Sequence, residues 1–377
     1  MAATITWDTL RQLARFRSEK GCAISLYVDL HPSTSPTARD LESRMNSLVA
    51  DVEKRGENRG YSHERKQALK ADLQRLRDWW DDEFDRDGLH GAAVFASSLD
   101  NFWRALPLAD PVRDEVRLSR DLYLAPLVPL VGRGDGALVA FVSRERGQVF
   151  RLRGGRLEEV VDQSEEQPGQ HDQGGWSQAR YQRHIEKLVR DHLKTVGGEI
   201  DKRVRGTGGL RMVIVAPEEM RGEIEERLSN EAREAIVGWA HAQAHANPTE
   251  LLGVVKPYLE RARERQLEET LARWAEEAGR NGRATAGWAP TLEAASDGRV
   301  DLLLMREGAN RAAFQCPRCG RGSADDGACP LDGNRMERRD DGGDLAVHHV
   351  LAHGGSVIAL RRGDLAEHDG IGALLRF

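Results

Sequence analysis

Short apolar runs recur along this chain at wide intervals, each too brief for a helix and each bounded by turn formers. They are Ala23 to Val28, Gly91 to Ala96, Ala137 to Val142, Met212 to Ala216, Val300 to Met305 and Ser356 to Leu360. Aliphatic and β-branched residues dominate them, which reads as buried strand. Between the first two lies a charged stretch, Ala38 to Phe84, with apolar residues at helical spacing: Leu41, Leu48 and Val52, then Leu69, Leu73, Leu76 and Trp80. That pattern predicts a helical hairpin. Strands alternating with helices predict α/β layers. At 377 residues the chain exceeds one ordinary core, so two or three domains are expected.

Punctuation places the joints. Tyr123 to Val131 carries two prolines and reads as a linker. Ala137 to Val142 and Gln148 to Leu152 form an expected β-hairpin. Asp162 to Gln173 holds no apolar residue beyond Pro168 and is expected to be a mobile loop. A helix is predicted from Ser177 to Val196, and a long charged one from Pro248 to Gly279 that leads into the last unit.

Composition excludes several classes. No apolar run approaches the roughly 18 to 20 residues of a membrane span, and Met1 to Thr9 lacks the basic-then-apolar pattern of a signal peptide. Three of the four cysteines cluster in the last quarter, which favours metal over disulfides and a reducing, cytoplasmic setting. With 55 Lys and Arg against 61 Asp and Glu, the net charge is -6. A general nucleic-acid coat protein would be basic, so no DNA partner is expected and RNA contact must rest on local patches.

One such patch follows a glycine pair. Gly174-Gly175-Trp176-Ser177-Gln178 stands between a Gly/Gln-rich segment and the predicted helix. Glycine lets a backbone approach a crowded surface, and the Gln178 amide, expected at a loop tip, both donates and accepts hydrogen bonds. This suits positioning a water beside an ester better than nucleophilic or metal catalysis. On the helix, Ile185, Leu188, Val189, Leu193 and Val196 form an apolar stripe, while Arg180, Arg183, Lys187, Arg190 and Lys194 step by 3, 4, 3 and 4 along another face. Taken alone the stripe reads first as a solvated amphipathic face, and it also suits a phosphate backbone.

Cys316-Pro317-Arg318-Cys319-Gly320 and Cys329-Pro330-Leu331-Asp332-Gly333 have the spacing of two metal knuckles. Zinc takes four ligands in a closed structural site, so Cys316, Cys319, Cys329 and Asp332 are the candidate set, with His348, His349 or His353 as alternatives to Asp332. Gly342-Gly343 and Gly354-Gly355 read as turns. His241 and His245 lack the glutamate of a zinc-protease helix, and Cys22 reads as a small core residue. No nucleophile elbow, phosphate-binding loop or paired catalytic carboxylates are found.

The order of these parts resembles the archaeal and eukaryotic class I peptide release factors and their relative Pelota, over almost the whole chain. Within that superfamily it is most similar to a bacterial group related to the Ankzf/Vms-type peptidyl-tRNA hydrolases of ribosome quality control. Ser25 to Val28, Gly174 to Tyr181, Val300 to Leu304 and Gly370 to Phe377 carry the resemblance. It implies a three-domain α/β architecture: an N-terminal domain (1–131), a ribonuclease-H-like central domain (132–250) and a three-layer α/β domain (251–377). The last would resemble kink-turn-binding proteins and carry a structural zinc knuckle at about 314–335. The site implied is Gln178 with Gly174, Gly175 and Ser177, and the partners are the peptidyl transferase centre of the large ribosomal subunit, peptidyl-tRNA and a translational GTPase.

Two departures matter. Trp176 and Ser177 separate the glycines from the glutamine, as the quality-control hydrolases tend to have it. The Asn-Ile-Lys-Ser and Tyr-x-Cys patterns of stop-codon reading are missing from the first domain. Hydrolysis of peptidyl-tRNA without codon reading is therefore the expected activity. The alternative is a non-catalytic, Pelota-like occupant of the ribosomal A site in hibernation or rescue.

Overall fold

The computed structural model describes residues 5–34, 37–57, 60–131, 136–153, 155–163, 176–205, 210–360 and 363–377, with backbone alone at 176–182 and 184–186. It is mixed α/β with four sheets and packs as two compact units, 1–132 with 271–377, and 133–270.

The first unit begins with α1 (Trp7–Ala14), β1 (Ala23–Asp29), α2 (Ala38–Glu57), α3 (His63–Asp78), β2 (Gly91–Ser97), β3 (Phe102–Leu108) and β4 (Glu115–Ser119). The strands form an antiparallel sheet in the order β3-β2-β1-β4. Both faces of β1 are covered, which is why its sequence reads as one apolar run. Ile24, Leu26 and Val28 face Val49, Val52, Leu69 and Leu73 of the α2–α3 hairpin. Ala23 and Tyr27 point the other way, into a core shared with the C-terminal part.

The segment from Tyr123 to Val131 differs from the linker that its prolines suggested. It forms a 3₁₀ helix, Ala125–Leu130, and Leu122, Leu124 and Leu127 are wholly buried in that shared core. Pro126 and Pro129 cost little there because so short a helix requires few backbone donors. Burying each leucine contributes about 1.5 to 3 kcal/mol.

The second unit holds β5 (Leu138–Val142), β6 (Gly147–Arg153), β7 (Arg156–Asp162), α4 (Trp176–Val204), β8 (Met212–Val215), α5 (Arg221–Glu225), α6 (Asn230–Glu234), β9 (Ile236–Ala240) and most of α7 (Pro248–Gly279). The sheet order is β7-β6-β5-β8-β9. An antiparallel meander, β7 to β5, is extended by parallel β8 and β9, which is the ribonuclease-H-like arrangement. Leu138, Ala140, Met212 and Ile214 face Leu193, Val196 and Ile200 of α4. Val139, Phe141, Val213 and Val215 face Leu251 and Val255 of α7.

The chain returns to the first unit with β10 (Ala284–Ala286), α8 (Trp288–Ser296), β11 (Val300–Arg306), β12 (Ala313–Gln315), β13 (Gly322–Ser323), β14 (Glu337–Arg339), α9 (Gly342–Ala352), β15 (Ser356–Leu360) and β16 (Ile371–Leu375). The main sheet runs β10-β16-β11-β15, and β13-β12-β14 is a small separate sheet. Gly342 and Gly343 do not make the expected turn. They start α9, where a Cβ on Gly342 would stand 2.5 Å from the Arg311 carbonyl oxygen.

Candidate functional site

Two places carry the chemistry proposed from sequence. The first is the start of α4. The expected loop from Asp162 to Gln173 falls largely, and Gly174 and Gly175 fall wholly, outside the described residues. The helix begins at Trp176, so Ser177 and Gln178 lie in its first turn rather than at a loop tip. The first backbone N–H groups of a helix have no intrahelical acceptor and stand at the positive end of its dipole. Farther along, Arg183, Lys187, Arg190 and Lys194 are exposed, while Leu193 and Val196 are buried against the sheet. The side chain of Arg180 is not among those described.

The second place is the pair of knuckles between β12 and β14. Each turns through a backbone bond from the glycine back to the first cysteine, Gly320 N–H to Cys316 O at 3.0 Å and Gly333 N–H to Cys329 O at 2.9 Å. Both glycines have positive φ, +81° and +72°, the region in which a Cβ is strained. The turns bring Cys316, Cys319, Cys329 and Asp332 together, with all four ligand atoms within 4.8 Å of one another. Among the described residues this is the one such group of His, Cys, Asp or Glu.

The donor set fits a tetrahedral ion. Bonds of about 2.3 Å to sulfur and about 2.0 to 2.2 Å to oxygen require donors roughly 3.5 to 3.8 Å apart. Cys319 Sγ and Cys329 Sγ are 3.5 Å apart, and Cys316 Sγ is 3.3 Å from Asp332 Oδ2. Asp332 is fixed from behind by the Asn334 N–H, which donates to Oδ1 at 3.1 Å. That bond leads the causes holding its carboxyl below the usual range. Loss of water around Sγ pushes the Cys319 thiol up to about 11. Three crowded thiols are the environment that a divalent cation relieves.

The three histidines weighed as alternatives are not part of this group. His348 and His349 lie in α9 and His353 just after it. Burial, then the neighbouring His348 and His353, push His349 down to about 3. His348 Nε2 stands 3.9 Å from Asp121 Oδ1. His241 and His245 follow β9 outside any helix, so their spacing has no helical meaning.

Sequence reasoning missed a buried charge network beside the knuckles. Arg339, at the end of β14, donates to Asp341 through Nε (3.0 Å) and Nη2 (3.2 Å), to Gln315 Oε1 (2.8 Å), to Ser119 Oγ (3.1 Å) and to Asp121 Oδ2 (3.4 Å). Asp121 is only 3% exposed and pairs also with Arg17 at 3.3 Å. Asp344 accepts from the N–H groups of Leu124 (3.0 Å) and Ala125 (3.3 Å). Burial first, then the charge of Asp341, raises its carboxyl to about 7. Partners more than two hundred residues apart leave no trace in local spacing.

Residues 123–256, which include the glycine pair and α4, match a family described as bacterial archaeo-eukaryotic release factor family 10. Peptide chain release factor subunit 1 of Methanopyrus kandleri is 25% identical over 211 residues, 54% of this chain and 51% of that protein. Its counterpart in Thermococcus kodakarensis is 25% identical over 254 residues, 61% of this chain and 60% of that one. The chain thus spans about half the length of the curated relatives it matches. Among solved structures, an archaeal translation termination factor, aRF1, aligns over 99% of both chains at 18% identity and a TM-score of 0.27. Ribosome-bound archaeal Pelota aligns over 76% of this chain and 77% of that one at 13% identity and 0.40.

Proposed function

We propose that this chain, which belongs to the archaeo-eukaryotic release factor and Pelota superfamily, is a ribosome-associated peptidyl-tRNA hydrolase. It would cleave the ester between peptide and tRNA on stalled ribosomes or large subunits, without reading a stop codon. One observation carries this reading. Gln178 stands in the first turn of a long helix that directly follows Gly174 and Gly175 and exposes a row of cations.

The chemistry needs positioning and polarity rather than a strong base. Gln178 holds a water through its side-chain amide. The water attacks the ester carbonyl carbon, the bond to the ribose oxygen breaks, and that oxygen takes up a proton. The free N–H groups of the α4 terminus favour negative charge developing nearby. Gly174 and Gly175 let the backbone enter, Ser177 flanks the glutamine, and Arg180, Arg183, Lys187, Arg190 and Lys194 contact phosphates. Trp176 and Ser177 between the glycines and Gln178 favour the Ankzf/Vms-type hydrolases as functional relatives.

The division into 1–131, 132–250 and 251–377 belongs to this proposal, as do a cytoplasmic location and a translational GTPase partner. We assign the Cys316, Cys319, Cys329 and Asp332 site to structural zinc, because four protein donors leave no position open for a reacting water. The deciding experiment compares wild type with Gln178→Ala for release of labelled peptide from stalled ribosomes and isolated large subunits. Release that disappears in the variant while binding persists supports the hydrolase. Tight binding with no release by either protein would leave a non-catalytic A-site occupant instead.

A further inference from the structure

The metal knuckles and the charge network are connected. Gln315 immediately precedes the ligand Cys316 and is 5% exposed. Its Nε2 donates to the carbonyl of Gly320 in the first knuckle at 3.2 Å, and its Oε1 accepts from Arg339 Nη1 at 2.8 Å. Gln315 therefore reads the knuckle turn with one end and holds the guanidinium with the other. Arg339 carries the contact on to Ser119, the last residue of β4, and to Asp121 just beyond it in the N-terminal part. A second route runs through Arg17, whose Nη1 lies 3.5 Å from the place a Cβ of Gly320 would occupy and 3.3 Å from Asp121 Oδ1. Arg17 and Asp121 also form an isolated β-bridge.

We propose that the knuckle is a metal-dependent latch: a bound ion, by fixing the Gly320 turn, sets Gln315 on Arg339, and Arg339 and Arg17 on Asp121, and so locks residues 15–25 and 117–125 onto the C-terminal part. This rests on the structural-metal assignment and not on the hydrolase reading. Two ends of the first unit that are far apart in sequence are then joined through one ion. Charged side chains buried around Asp121 hold only while every partner is in place, because an orphaned buried charge is costly. A turn that loses its ion loses the Gly320 carbonyl as a fixed acceptor, and Gln315 loses its orientation.

The test is hydrogen exchange read by mass spectrometry on the full chain, zinc-loaded and after chelation, with Gln315→Ala as the second arm. The latch predicts about tenfold faster exchange at 15–25 and 117–125 on chelation, the local effect of losing one hydrogen bond to a charged group. The N–H groups of Ser18, Tyr123 and Leu124 are the reporters, since each is hydrogen-bonded across this region. Leu138 to Val142 of β5 should not change. Gln315→Ala should keep its full zinc content by elemental analysis and still show the faster exchange. Acceleration confined to 313–339 in both arms overturns the latch but leaves the metal assignment standing. If the chelated protein unfolds as a whole, the variant alone decides, and unchanged exchange there refutes the coupling. A purified chain that takes up no zinc overturns both.

Discussion

Asp344 is the buried carboxyl whose replacement should stabilise this protein. Its oxygen accepts two backbone N–H groups, those of Leu124 and Ala125, and an asparagine oxygen can accept the same two bonds. The difference is charge. Burial raises the group from its ordinary 3.8 to about 7. At 1.36 kcal/mol per tenfold change in proton affinity, full ionisation costs the folded state about 4 kcal/mol. Because the folded form binds the proton more tightly, stability falls as pH rises from about 4 to about 7 and is level above that. His349 acts oppositely in an overlapping window. Its neutral form is the folded one, so its contribution is present above the usual histidine value and is lost as pH falls toward about 3. The parent's own profile therefore mixes two slopes, and the difference between parent and Asp344→Asn isolates one. Urea unfolding followed by tryptophan fluorescence, to which Trp288 in the same core contributes, should show the variant's advantage growing by about 2 to 3 kcal/mol between pH 5 and pH 8. Parallel curves at the two pH values would refute a raised Asp344.

Two other perturbations are direct. Gly342→Ala places a Cβ 2.5 Å from the Arg311 carbonyl oxygen and 2.9 Å from the Ala313 Cβ. A loss of about 1 to 3 kcal/mol is expected, and an unchanged Tm would mean that the start of α9 is not pinned there. Replacing Arg183, Lys187 and Arg190 with Glu should weaken co-sedimentation with ribosomes and lower the slope of log affinity against log salt by about 2 to 3. An unaltered slope would exclude this face as the RNA contact.

The strands were legible because both faces of β1, β5 and β8 are covered, which forces continuous apolar sequence. The hairpin of α2 and α3 and the span of α7 were equally plain from periodicity. Local signals failed where tertiary packing overrode them. Pro126 and Pro129 read as linker punctuation, but the leucines around them supply core. Gly342-Gly343 read as a turn because sequence cannot reveal how closely the Arg311 backbone approaches. At the candidate metal site, the C-x-x-C and C-x-x-D spacings sufficed to name the four residues that the fold brings together, since each pair is local to one turn. The links from Arg339 to Ser119 and Asp121 could not be read, because nothing near either end specifies a partner so distant.

That contrast bears on why the knuckle has ligands at all. Its three strands span two or three residues each, too short for a sheet to persist alone. The apolar residues gathered inside are Cys316, Cys329, Met336 and the partly buried Phe314. That cluster is small against the conformational entropy of ordering the segment. Packing against α8 and α9 supplies part of the difference. The proposed ion, held by four donors, would supply the rest, as in other small metal-stabilised folds. On that proposal Asp332 gives the second knuckle a second donor beside Cys329 and closes the ligand set at four.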